Sequence, residues 1–219
     1  MALGLARSGS AAGPTLAYWL GNPILNPATM VFMGFVLGWR WMALRLFVGL
    51  LLVFGVAYLA NRFVRPEEVQ AVPPPGQAVR ADIAEGSLWL RWMRVLWQMV
   101  IGLVPEYLGI VLILGAARAW LFPAVTPETS GIFWTVGLAI AGTLFVIPTA
   151  GEIPIVQTLM AFGLGVGPAA ALLTTLPPVS LPSLVMLGKS IPVRVLVFIA
   201  ASVVLLGVLS GAVAVGLGF

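Results

Sequence analysis

The chain has 219 residues, of which 61% are hydrophobic and only 8% charged, with a mean hydropathy of +1.10. A soluble domain carries about 25% charged residues, so the composition excludes one and points to a lipid bilayer. Cysteine and histidine are both absent, which excludes disulfides, thiolate metal sites, cysteine nucleophiles and imidazole acid–base chemistry. The net charge of +4 does not argue for nucleic acid. Five of the basic residues (Arg62, Arg65, Arg80, Arg91, Arg94) flank or occupy one loop, as positive-inside orientation requires.

Taken in chain order, residues 1–62 read as a first unit. Its apolar stretch over 2–38 is interrupted by NPILNP at 22–27, and an unbroken apolar helix over 42–60 follows. Residues 63–88 hold most of the acidic residues and the run Pro73–Pro75, the composition of a solvated cytoplasmic linker. Two transmembrane helices are predicted within 89–147. The first covers 89–117, with Trp89, Trp92 and Trp97 at the interface, and the second covers 131–147. Residues 148–219 form a second unit, with broken helices over 153–189 and a final transmembrane helix over 192–217.

The second broken stretch contains Pro154, Pro168, Pro177, Pro178 and Pro182, which cut it into pieces too short to span. A crossing helix needs about 20 unbroken apolar residues. Each proline removes a backbone donor, and hydrocarbon cannot satisfy the groups set free. Such backbone persists at membrane depth only where protein buries it or water reaches it, the signature of re-entrant or discontinuous helices in transporters.

The two broken stretches also overlay. At an offset of 154, Gly9 meets Gly163, Gly13 meets Gly167 and Pro14 meets Pro168. After one inserted residue, Pro23 meets Pro178 and Pro27 meets Pro182. The predicted fold is an all-α polytopic membrane protein with two related repeats, each a broken or re-entrant helical hairpin followed by a long transmembrane helix. Three crossings separate the units, and the basic residues mildly favour inversion over a parallel repeat. Inversion puts Lys189 and Arg194 inside and Arg7, Arg40, Arg45 and Arg118 outside, with an outward C-terminus. Because Met1 corresponds to Ile155, the first copy lacks a counterpart to 131–147 and to Gly151-Glu152-Ile153-Pro154. An N-terminally incomplete chain is expected, the alternative being a short form completed by homo-oligomerisation.

The G-x-x-x-G and P-x-x-N-P patterns of the first unit, with G-x-I-P and PPVSLPSLVMLGK in the second, resemble the bacterial and archaeal predicted permeases, a family that includes the organoarsenical efflux permeases. The resemblance covers about residues 1–62 and 150–219. It implies a polytopic protein with two related halves that moves a solute across the cytoplasmic membrane, and it does not name the solute. Members that extrude trivalent arsenicals use cysteines just before the segment at which this chain begins. With no thiol here, metalloid binding through sulfur is unsupported.

Candidate residues follow from chemistry at the breaks. Glu106 lies mid-helix, where a charged carboxylate costs roughly 2.5–3.5 kcal/mol on insertion scales, so proton or cation coupling stands against a neutral hydrogen-bonded role. Glu152 precedes Ile153-Pro154 at a helix junction. An N-terminal cap is its first reading and coupling its second. Asn22, Asn26, Thr174, Thr175 and Ser180 suit capping individually and solute contact as a set; the helix-break prolines are Pro23, Pro27, Pro154, Pro178 and Pro182. No hydrolase, Walker or metalloprotease motif is present, and no metal cluster or cofactor is predicted. The expected partners are lipid and a small solute. The leading reading is a secondary transporter or efflux permease, and the alternative is a non-transporting membrane subunit that completes a larger complex.

Overall fold

A computed structural model describes residues 12–63, 130–147, 150–188 and 191–219, together with Trp89, Met93 and Trp97. The described residues are helical and contain no strand. In order they form α1 (Ala12–Ile24), α2 (Pro27–Val36) and α3 (Trp39–Leu50). A π-helical turn, Leu51–Val56, carries α3 without interruption into α4 (Ala57–Arg62). Then come α5 (Ile132–Leu144), α6 (Glu152–Ala161), α7 (Val166–Thr175), α8 (Leu181–Leu187) and α9 (Val193–Gly216). Two stretches, Trp39–Ala60 and Val193–Gly216, are long and apolar enough to cross a membrane. The helix expected over 42–60 thus begins three residues earlier.

The first break falls at Leu25–Asn26, and its chemistry is local. Pro27 opens α2, where its missing N–H would have had no helical partner. Asn26 caps the same helix, its Oδ1 accepting from the N–H groups of Ala28 at 3.0 Å and Thr29 at 3.3 Å. Pro23, by contrast, lies inside α1 and does not end it. It deprives only the Trp19 carbonyl of a donor, one bond short of what stops a helix already near its end. Gly38, at φ 109°, makes the turn into α3, a backbone conformation that side chains disfavour.

In the second unit the prolines mostly begin helices. Pro154 and Pro168 occupy the third positions of α6 and α7, and Pro182 the second position of α8, within the first turns, where a missing N–H costs no helical bond. The interruptions themselves are Gly163, at φ 106°, and the Pro177–Ser180 stretch, after which Ser183 Oγ accepts from the Ser180 N–H at 3.0 Å. Helix α5 stops at Leu144, with Phe145 extended, ahead of Pro148, which cannot continue it. Its 13 residues reach about 20 Å, short of the crossing expected over 131–147.

One element order, short helix, break, short helix, long helix, therefore occurs twice, as α1–α4 and as α7–α9. The long helices start 154 residues apart, at Trp39 and Val193, and end 154 residues apart, at Arg62 and Gly216. They lie antiparallel. At one end Arg40 donates to the carbonyls of Leu217 at 2.6 Å and Gly218 at 3.3 Å, and Trp41 meets Phe219 edge to face. At the other, Phe63 packs on Phe198 at 5.0 Å.

Helix α7 sits at the centre, buried from Gly167 through Thr175. Small residues let α5 and α9 close on it. A Cβ on Gly207 would collide with Thr175, one on Gly142 likewise, and one on Gly211 would come within 2.6 Å of Thr135 and 2.7 Å of the Gly167 carbonyl. Gly207 and Gly211 form a G-x-x-x-G pair, the spacing that lets apolar helices approach when lipid supplies no hydrophobic drive between them.

Candidate functional site

Arg45 lies in the second turn of α3 and is 2% exposed, the largest fully buried side chain among the described residues. Its surroundings follow from the first break. Pro27 has no N–H for the Pro23 carbonyl, and the Ala28 N–H that would serve the Ile24 carbonyl is held by Asn26. Two acceptors are left without helical donors. Arg45 supplies both, through Nη2 to Pro23 at 3.1 Å and Nε to Ile24 at 2.9 Å. Gly49, one turn further along α3, leaves room for Leu25 of the same break: a Cβ there would come within 2.5 Å of the leucine side chain.

The remaining side of the guanidinium faces Glu152, whose Oε1 accepts from Nη1 at 2.7 Å in an ion pair with both side chains nearly excluded from the surface. Glu152 is 3% exposed and is the first residue of α6. The chain enters it through Ala150, the one non-glycine residue at positive φ (66°) among those described, so a sparsely populated backbone state precedes the carboxylate. One arginine therefore joins α3, the α1–α2 break and the start of α6. The charge-assisted contact is short, as such contacts are.

This geometry corrects two sequence expectations. Glu152 does not cap α6: the N-cap is Gly151, with no side-chain bond to the helix, because a guanidinium outcompetes neutral amides for a carboxylate. The carboxylate keeps the favourable position near the positive end of the helix dipole. Arg45 is not an outward-facing flanking charge, and its vote on orientation falls away. What would have singled it out is its place inside an otherwise apolar spanning segment, where an ionisable residue asks for a partner.

The other candidates are distributed. Asn22 is exposed in the last turn of α1, and Asn26 is committed to its cap. Thr174 donates within reach of the Ala170 carbonyl and of Ser210 Oγ, each at 2.9 Å, and Thr175 donates to Ala171 at 2.9 Å. Both threonines are buried in α7. Ser180 pairs with Ser183 ahead of α8. Among the described residues no hydrogen bond joins the asparagine set to the hydroxyl set. Glu106 and Lys189 lie outside the described residues, as do most of the linker and of the 89–117 helix; Trp89, Met93 and Trp97 are helical and exposed. No group of three or more metal-ligating side chains occurs among the described residues.

Interrupted apolar helices tied together at a buried ion pair, beside two helices long and apolar enough to cross a bilayer, suit a membrane protein built with discontinuous helices. The chain belongs to the predicted permease family, whose model matches residues 1–215. It is 50% identical over 217 residues to the UPF0718 protein YraQ of Escherichia coli strain K12, across 98% of this chain and 61% of that protein. It is 33% identical over 109 residues to the UPF0718 protein MJ0584 of Methanocaldococcus jannaschii, across 46% of this chain and 28% of that protein. The chain thus spans about three fifths of the length of its Escherichia coli relative. No solved structure matches it significantly.

Proposed function

We propose that the chain forms a multi-pass unit of a secondary permease in the cytoplasmic membrane, moving a small solute (an anion, metalloid or organometalloid) between its two broken units. The observation that carries this reading is the Arg45–Glu152 pair, which links the break of the first unit to the first helix of the second. Transporter sites are commonly built where discontinuous helices from two repeats face one another at membrane depth.

The antiparallel run of α3–α4 against α9 supports an inverted relation between the repeats, since inversion reverses the direction of equivalent helices. Alternating access then follows from one broken unit moving against the other. Asn22 and Asn26 at the first break, with Thr174, Thr175 and Ser180 at the second, are the proposed solute contacts. Glu152 is the coupling group within the described structure, and Glu106 is a second coupling candidate.

Reconstitution into liposomes tests the reading. Saturable flux of one solute class that responds to an imposed proton gradient is expected. Absence of saturable flux across a panel of anions, metalloids and organometalloids favours the packing-subunit alternative.

A further inference from the structure

Building on the permease reading, we propose that Arg45 is an anion-binding group and Glu152 the proton carrier that vacates it, so that the solute taken here is a small oxyanion bound together with one proton.

Charge balance at the buried site links the anion to a proton. Glu152 is the only acidic residue among those described. Of the described basic residues, Arg40 is spent on the Leu217 and Gly218 carbonyls, Arg62 reaches Tyr58, and Arg194 is exposed at the start of α9. Helices α2 and α7, which pack with α6, carry no titratable side chain, so Arg45 is the one described charge facing Glu152. The buried site therefore holds one positive and one negative charge. A second anion entering it would leave an uncompensated buried charge, the costliest arrangement available. If Glu152 takes up a proton as the anion arrives, the balance is kept. The proton comes from water, forms an O–H bond on Glu152, and returns to water when the anion leaves and the carboxylate pairs with Arg45 again.

Geometry sets the class of anion. Nε and Nη2 are held by the Ile24 and Pro23 carbonyls, so Arg45 stays in place when its partner changes. The vacated face was shaped around a carboxylate, and a guanidinium fork favours planar or multi-oxygen anions. The exchange also has a mechanical consequence. Glu152 is the charged link of α6 to the first break, so its release loosens that link only when an anion has taken its place.

Formate is a suitable probe. Its binding to the purified full chain in detergent is followed by thermal shift at about pH 5 and about pH 8, at constant ionic strength. One linked proton raises affinity by up to about tenfold for each pH unit lost, so wild type is expected to bind formate at least about tenfold more tightly at the acid pH. Glu152→Gln, already uncharged, is expected to bind it equally at both. The Arg45→Gln/Glu152→Gln double variant, which removes both charges together, is expected to bind none. A pH-independent or absent saturable response in wild type overturns the proposal without recourse to any variant. A pH-dependent response in Glu152→Gln, or a saturable one in the double variant, does so as well. The two readings fail separately: pH-linked formate binding without flux counts against the permease, and proton-sensitive flux without pH-linked formate binding counts against the anion site.

Discussion

The guanidinium of Arg45 donates to the carbonyl of Pro23 at 3.1 Å, and that carbonyl is the one left open because Pro27 has no N–H to offer it. The break in the first apolar stretch is therefore a built feature. A proline and an asparagine cap strand two carbonyls, and a charged side chain from the following helix satisfies them and spends its remaining face on the second unit.

Arg45→Gln leaves Glu152 buried without a cation and strips both carbonyls of their donor, so it is expected to destabilise the fold by about 3–5 kcal/mol. The double variant with Glu152→Gln removes the unpaired charge and is expected to recover a large part of that loss. Reversible unfolding in mixed micelles across the four members of the cycle measures this. A double variant as unstable as the sum of the singles would show that the two residues act independently.

The glycines of the α5–α7–α9 contact are expected to tolerate no Cβ. Gly211→Ala would press on Thr135 and on the Gly167 carbonyl, the latter being backbone that cannot swing away, and should cost about 1–3 kcal/mol. Gly137→Ala, on α5 with open space around it, should be neutral or stabilising by up to about 1 kcal/mol. Thermal stability of the two variants in the same detergent separates them.

Asn26→Ala removes the cap of α2 and is expected to cost about 0.5–2 kcal/mol, while Asn26→Ser, which retains an acceptor, should cost little. Transport measured on the same pair divides the two roles of this residue. Equal flux in the serine variant and wild type assigns Asn26 to capping alone, and loss of flux at preserved stability assigns it to the solute.

Much of the architecture was legible because proline and glycine act locally. The interruptions near residues 25 and 177–180, the repeated order of elements and the two long apolar helices all follow from spacing within a few residues, whereas the break at Gly163 was read as cuts at Pro154 and Pro168. Pro23 misled because a proline in the last turn of a helix removes one bond and stops nothing. Helix α5 was read as a crossing because hydropathy continues through Phe145–Ile147 after the helix itself has ended. The ion pair was out of reach for a different reason. Arg45 and Glu152 are 107 positions apart, and with Arg40 nearby the segment WRWMALR reads as the edge of a span. Only the fold turns that arginine inward and gives a carboxylate, legible on its own as a cap, a stronger partner.

The first break and the start of α6 meet at the Arg45–Glu152 pair, and the account requires that water enters there. Since the chain has no cysteine, single cysteines can be placed at Leu25, in the first break, at Gly151, which precedes Glu152, and at Phe54 and Val197, exposed on the long helices, and challenged in sealed membranes with a water-soluble, membrane-impermeant thiosulfonate. Reaction at Leu25 and Gly151 with inert Phe54 and Val197 variants is the predicted result. Inert cysteines at both Leu25 and Gly151 would contradict the account and leave the broken helices as packing surface alone.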